Sequence, residues 1–227
     1  MRKALTLQDR LAKQEGGFCG IATADTGRYI GFQIAWDHVK VPPGTAYRRL
    51  PGLSVAANYN RACRLTLEQN RPWVWLMDDD HFFGEDLLIN LLERDVDVVT
   101  PLYLMRSFPF DPVLHRDESR GWGRYSFEYL QGKEGLLDVT ADATIPTGGM
   151  LIRRHVLEAI KDPWFETGQI DSEWGSWDIY FSEKVRKAGF KLHLDLDNTM
   201  GHITPICLWP VRDEDGNWRY DIRQAHD

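Results

Sequence analysis

Apolar residues fall in short runs along the chain, and the spacing within each run predicts an element. Phe18–Thr23 is an apolar run closed by the turn signal Ala24-Asp25-Thr26-Gly27, which predicts a buried first strand. Tyr29–Val39 sets Ile30, Ile34, Ala35 and Val39 at helical spacing and stops at Pro42-Pro43-Gly44. Thr45–Leu50 reads as a second strand, turned by Pro51-Gly52. Leu53–Gln69 reads as a helix with Ala57, Ala62, Leu65 and Gln69 near one face. Trp73–Met77 is continuously apolar, the mark of a central strand buried on both faces, and it ends at Asp78-Asp79-Asp80. A helix, Glu85–Arg94, follows with its leucines inward, and then a buried strand, Val96–Thr100. Strand and helix therefore alternate over residues 1–105, which implies a parallel sheet of doubly wound type.

The remainder is less regular. Residues 1–16 form a lead-in or short helix. Ser107–Gln131, rich in Phe, Pro, Gly, Arg and Tyr, is expected to hold irregular strands and a mobile loop. Ile145-Pro-Thr-Gly-Gly149 is a turn before the short strand Met150–Ile152, and a helix over Arg154–Ile160 stops at Asp162-Pro163. Ser176–Ala188 reads as a helix with Trp177, Phe181 and Val185 on one face and Gly189 as its cap. Phe190–Leu196 alternates apolar and polar residues, so it is a half-buried strand. Glu214-Asp215-Gly216-Asn217 turns a C-terminal hairpin. No repeat or linker interrupts this order, and a single domain is expected.

Composition narrows the classes. The 227 residues carry 27 Lys+Arg against 34 Asp+Glu, a net charge of −7, which argues against a non-specific nucleic-acid binder. No apolar run approaches the ~20 residues of a membrane span, and the N-terminus turns polar too soon for a signal peptide. A cytoplasmic location is expected. Cys19, Cys63 and Cys207 are odd in number and lack C-x-x-C spacing, so they read as reduced core thiols. Of the nine tryptophans, Trp73, Trp75 and Trp164 sit in apolar contexts and belong to the core. Trp122, Trp174 and Trp177 sit in loop-like settings, where they either stack on a flat ligand or pack a lid onto the sheet. Arg48, Arg49, Arg61, Arg64, Arg153 and Arg154 read mostly as solvated charge, and Arg106 is placed to meet a phosphate.

The chemistry concentrates at Asp78, Asp79 and Asp80. Ligands of open α/β sheets bind at the carboxyl ends of the strands. Three crowded carboxylates repel one another unless a cation or solvent compensates, and a divalent metal with a diphosphate would do so. A solvated acidic turn before a helix explains the same residues equally well. An aspartyl phosphatase also carries Asp-x-Asp after an apolar strand, but Phe82 stands where that motif needs Thr or Val.

At this point the sequence resembles the nucleotide-sugar glycosyltransferases of the GT-A fold, specifically the large family-2-like group. Five motifs in order over residues 18–205 carry the resemblance: Leu53-Ser-Val-Ala-Ala-Asn58, Trp75-Leu-Met-Asp-Asp-Asp80, Thr147-Gly-Gly-Met-Leu-Ile-Arg-Arg154, Ser176-Trp-Asp-Ile-Tyr-Phe181 with Lys187-Ala-Gly-Phe190, and Met200-Gly-His-Ile203. The resemblance implies a GT-A, Rossmann-like α/β domain with a mixed, mainly parallel sheet flanked by helices. Residues 18–105 would be its nucleotide-sugar half, 106–205 its acceptor and catalytic half, and 206–227 a C-terminal hairpin or tail. It implies a nucleoside-diphosphate sugar donor, UDP-linked by family prevalence, and an inverting transfer to an acceptor hydroxyl.

Roles follow by position. Asp80 and His202 would ligate a divalent metal, with Asp78 on the metal's water shell or the ribose. An oxygen-plus-imidazole set favours Mn²⁺, with Mg²⁺ second. Asp178 would be the general base. Thr23, Asp25, Asn58, Asp79, Arg106, Gly148 and Gly149 fall in the donor-binding regions, the glycines giving a donor sugar close approach to the backbone. Trp177 and Trp174 would line the acceptor site, Trp177 standing where the family has Glu. Glu173 and Asp171 are alternative bases if the frame differs. As a first-turn helix acid, Asp178 is expected to have a lowered pKa. The acceptor is open among a glycan, a protein, a small molecule and a modified nucleic-acid base. Two other classes stay open: a nucleotidyltransferase, although Ala22–Gly27 lacks the basic residue of its phosphate loop, and a non-catalytic sugar-nucleotide or glycan-binding module.

Overall fold

A computed structural model describes residues 5–23, 29–52, 54–116, 123–170, 173–204 and 207–223, with backbone only at 168–170, 173–175, 207, 222 and 223. Asp25, Trp122 and Asp171 lie outside the described residues, and the side chains of Glu173 and Trp174 lie outside them too.

The first half of the chain forms α1 (Leu7–Leu11), β1 (Phe18–Thr23), α2 (Ile30–His38), β2 (Ala46–Pro51), α3 (Val55–Glu68), β3 (Trp73–Asp78), β4 (His81–Phe82), α4 (Leu87–Glu93) and β5 (Val98–Leu102). The middle adds β6 (His115–Arg116), β7 (Gly123–Arg124), β8 (Leu136–Asp138), β9 (Ala143–Thr144), β10 (Leu151–Arg153) and α5 (Arg154–Ala159). The last part forms β11 (Gly168–Ile170), β12 (Glu173–Gly175), α6 (Trp177–Lys187), β13 (Leu192–Thr199), β14 (Gly201–Ile203), β15 (Cys207–Arg212) and β16 (Trp218–Arg223).

The central sheet has the order β2-β1-β3-β10-β5-β13-β8. β2, β1 and β3 pair in parallel, and so do β5 and β13, while β10 runs antiparallel to both β3 and β5. The result is a mixed, mainly parallel Rossmann-like sheet flanked by helices, as the resemblance implied. The alternation of strands and helices in the first half is present, but β3 and β5 are not neighbours. β10 wedges between them, placing Leu151 opposite both Trp75 and Val99. Nothing in the spacing of a three-residue strand announces that insertion.

Alternation along the strands sorts the core into two layers. Phe18, Ala22, Val74 and Leu76 pack with Ala56, Tyr59, Ala62 and Cys63 of α3 and with Phe181 and Val185 of α6. Cys19, Ile21, Trp75 and Met77 pack with Phe32 of α2 and the leucines of α4. Burying a large apolar side chain contributes roughly 1.5–3 kcal/mol, so the strand that carries the acids is anchored from both faces. Gly20 lets α3 lie close to β1, since a Cβ there would sit 2.4 Å from the Ala62 Cβ. Trp73, Trp75 and Trp164 are buried, as their contexts predicted. Cys19 and Cys63 are buried free thiols whose pKa burial pushes up. No helix among the described residues is long and apolar enough to cross a membrane.

The inward face of α3 is not the one expected over 53–69. Ala56, Tyr59, Asn60, Ala62, Cys63 and Thr66 are buried, while Ala57 is half-buried and Gln69 exposed. The apolar count misled because several inward residues carry polar groups, and those of Tyr59, Asn60 and Thr66 are satisfied internally. Asn60 Nδ2 donates to Phe165 O (2.6 Å), and its Oδ1 accepts from Trp164 N (2.9 Å) and Phe165 N (3.0 Å). Tyr59 donates to Asp78.

A second sheet, β16-β15-β14-β4, contains the expected C-terminal hairpin. Asp213 Oδ1 accepts from Asp215 N (3.1 Å) and Asn217 N (2.9 Å), and Gly216 takes φ +80° in the turn. This sheet joins β14 to β4 and so determines what faces the acids.

Candidate active site

A cavity of about 520 Å³ opens at the carboxyl ends of β1 and β3. Its walls bring together Thr23 from β1, Asn58 from α3, Asp78 at the end of β3 with Asp79 and Asp80 just after it, Arg106, Trp177 and Asp178 at the start of α6, and His202 on β14. These expected residues, scattered over 180 positions of the chain, thus line one space. Asp79 is buried, and Thr23 Oγ1 lies 3.5 Å from Ile21 O.

Among the described residues, Asp80, His81 and His202 each offer a ligand atom within 4.8 Å of the others, a group that can hold a metal ion. Backbone pairing builds it. β4 and β14 are antiparallel with His81 directly opposite His202, so the two imidazoles share a face and stack at 4.7 Å with 14° between planes. Ile203 N donates to Asp80 O at 2.7 Å, tying the acidic turn to the same strand. His81 carried no expected role. Its position beside Asp80 was visible in the sequence, but the pairing that turns it toward His202 was not. Asp78 is not part of this group.

The donor set fits a cation. His202 Nδ1 lies 2.8 Å from Leu104 O, which only accepts, so Nδ1 carries a proton. Nε2 then faces Asp80 Oδ2 at 3.4 Å. In the neutral imidazole that is a lone pair opposite a carboxylate, the arrangement a metal between them satisfies. Asp80 Oδ1 and His81 Nε2 are buried without hydrogen-bond partners. In the imidazolium form of His202, Nε2 instead donates to Asp80, and that hydrogen bond with nearby positive charge outweighs the burial that opposes ionisation, holding the Asp80 carboxyl well below its usual range. Arg106 supplies part of that charge, Nη1 to Asp80 Oδ2 at 2.9 Å. Burial pushes His81 down to about 3, so it is a neutral imidazole.

Two further carboxyls are perturbed upward. Burial pushes Asp78 up to about 8, reinforced by the neighbouring Asp80, although Tyr59 donates to Asp78 Oδ1 at 2.6 Å. Burial also pushes Asp178 up to about 6, against the pull of hydrogen bonds from Thr147. The lowered value expected from its helix-start position is therefore corrected. Asp178 is in the first turn of α6 but only 8% exposed, and desolvation exceeds the helix-terminus effect. Thr147 Oγ1 donates to Asp178 Oδ1 at 2.7 Å and accepts from Trp177 Nε1 at 3.0 Å. Thr147 and Tyr59 had been assigned no chemistry.

The two glycines after Thr147 also have a packing reason. A Cβ on Gly148 would lie 2.6 Å from His81 Cε1 and 2.8 Å from Tyr103 Oη. One on Gly149, which has φ +75°, would meet Pro101 and Met200. The space a Cβ would take at either position is filled by protein side chains, including a member of the metal-capable group.

No protein-family model and no curated protein matches the sequence. Solved structures do resemble the chain in fold. The crystal structure of A197 from STIV matches with a TM-score of 0.58 at 16% identity, covering 92% of this chain and 94% of that one. That of S. aureus TarS 1–349 gives 0.45 at 14% identity over 85% of this chain and 53% of that one. The A197 likeness shows that this α/β arrangement recurs over nearly the whole length of another chain, and it concerns the fold alone.

Proposed function

We propose that the chain is a metal-dependent glycosyltransferase that moves a sugar from a nucleoside-diphosphate sugar, a UDP-sugar first among them, to an acceptor hydroxyl. The observation that carries the reading is that one cavity is lined by Asp80 and His202, two members of the metal-capable Asp80–His81–His202 group, and by a buried, raised-pKa carboxyl, Asp178. Residues 18–105 supply the donor side and 106–205 the acceptor side.

Asp80, His81 and His202 would hold a divalent ion, Mn²⁺ ahead of Mg²⁺ because two imidazoles join the carboxylate, and the ion would supply positive charge that stabilises the leaving diphosphate. Arg106 adds a second positive group at that end. Thr23, Asn58 and Asp79 contact the nucleoside, and Asp78 meets the ribose or the ion's water shell. Asp178 takes the proton of the acceptor hydroxyl as its oxygen bonds to the anomeric carbon. The bond from that carbon to the diphosphate breaks, its electron pair leaving with the nucleoside diphosphate, and in-line attack inverts the anomeric centre. A pKa near 6 leaves Asp178 ionised at neutral pH and makes it a stronger base than an ordinary aspartate. Trp177 forms part of the acceptor wall. The acceptor is a glycan, a protein, a small molecule or a modified nucleic-acid base.

The test is product analysis with a panel of nucleotide sugars, Mn²⁺ and mixed acceptors. Release of nucleoside diphosphate coupled to a glycosylated product is expected. Pyrophosphate release from a nucleoside triphosphate would make the chain a nucleotidyltransferase. Donor binding with no turnover on any acceptor or water would make it a binding module.

A further inference from the structure

Thr147 stands between two consecutive side chains of α6. Its hydroxyl oxygen lies 3.0 Å from Trp177 Nε1 and 2.7 Å from Asp178 Oδ1. The chemistry of the three groups fixes the direction of the bonds. An indole N–H can only donate, so the Thr147 oxygen must accept it. A hydroxyl has one proton, and an ionised carboxylate has none, so that proton points at Asp178 Oδ1. Thr147 is 2% exposed, which leaves water little chance to compete for it. Without the indole, the hydroxyl could rotate and give its proton elsewhere. With it, the chain runs one way.

We propose that Trp177 and Thr147 are positioning residues, a one-way relay that keeps one oxygen of Asp178 as a fixed hydrogen-bond acceptor and reserves the other for the incoming hydroxyl proton. The second half of this statement rests on the glycosyltransferase reading; the relay itself does not. During transfer the acceptor O–H proton goes to Asp178 Oδ2 while the acceptor oxygen bonds to carbon and the diphosphate leaves with the bonding pair. Oδ1 accepts from Thr147 before and after that step, so the relay needs no rearrangement. Trp177 thereby acts through its N–H as well as through its ring. The other titratable groups that face Asp178 are Asp78 from β3, Tyr59 from α3 and Tyr103 beyond β5. None belongs to the relay, and all three stay unchanged in the variants below.

The experiment is a carboxyl-carbon NMR titration of the full chain with labelled aspartate, the Asp178 signal being assigned by its loss in Asp178→Asn. Thr147→Val removes a hydrogen bond to the charged form and is expected to raise the Asp178 midpoint by about one pH unit. Thr147→Ser, which keeps the hydroxyl, is expected to hold the wild-type midpoint. Trp177→Phe is expected to raise it by less, and Trp177→Phe/Thr147→Val no further than Thr147→Val alone. A purely structural Trp177 would change the unfolding midpoint without moving the Asp178 titration, and that result overturns its place in the relay. An unmoved midpoint in Thr147→Val overturns the relay as a whole. If Thr147→Val does not fold, Thr147→Ser against Trp177→Phe carries the same comparison. Titrations that follow the relay in a wild-type chain with no transferase turnover would sink the glycosyltransferase reading alone; normal turnover with unmoved titrations would sink the relay alone.

Discussion

Replacing Asp178 with Asn should make the protein more stable and less active, and the gain should depend on pH. The folded carboxyl has a pKa of about 6 against 3.8 for an ordinary aspartate. Its unfolded form therefore loses its proton first as pH rises. Folding loses stability between about pH 4 and pH 6 and carries the full penalty above that window. At about 1.4 kcal/mol per pH unit, the rise corresponds to about 3 kcal/mol. Asn does not titrate and can still accept from the Thr147 hydroxyl through its own oxygen. Its amide also needs a partner, so about 3 kcal/mol is a ceiling, equivalent to a melting-temperature gain of up to about 10 °C for a chain of this size. The assay is urea denaturation of both proteins at pH 8 and pH 4. Asp78 titrates in each and largely cancels. The variant should lead at pH 8 and nearly match the wild type at pH 4, while turnover falls by about 100-fold or more. A variant less stable at pH 8, or equally ahead at both pH values, would refute the argument that a desolvated charge sits at this position.

Three other outcomes follow from the same geometry. Asp80→Ala should abolish Mn²⁺-dependent binding of a nucleoside diphosphate, read by titration calorimetry; an unchanged isotherm would remove Asp80 from the metal set. Gly148→Ala drives a Cβ to within 2.6 Å of the His81 ring. It should cost about 1–3 kcal/mol of stability and weaken Mn²⁺ binding through His81, whereas an intact metal affinity would show that His81 does not ligate. Asn60→Ala removes three buried hydrogen bonds to the 164–165 backbone. A loss of about 2–4 kcal/mol in chemical denaturation is expected, and a loss below about 0.5 kcal/mol would mean that water replaces the amide.

The sequence was most informative where a long apolar run and a polar break coincide. Trp73–Asp78 is legible because a strand buried on both faces admits nothing polar until it leaves the sheet, so the acids mark the edge where ligands bind. The C-terminal hairpin is legible from its turn chemistry. The insertion of β10 and the pairing of β4 with β14 are not, because both are two- or three-residue strands whose partners lie far along the chain. That is why His202 was expected in the site and His81, adjacent to Asp80, was not. The Asp178 pKa shows the same limit. A helix-start acid is visible in sequence, whereas its desolvation depends on how Thr147, Trp177 and the core close around it. The inward amide of Asn60 misdirected the α3 face for a related reason: burial follows hydrogen-bond satisfaction as well as apolarity.

The central claim is that the cavity takes a nucleoside-diphosphate sugar through a metal held by Asp80, His81 and His202. Thermal unfolding of the whole chain with UDP-, GDP- and CMP-sugars, each with and without Mn²⁺, tests it most directly. A rise in melting temperature with one nucleotide class, present only when Mn²⁺ is added and lost in Asp80→Ala, is the predicted result. No rise with any of them, or a rise indifferent to the metal, would contradict it.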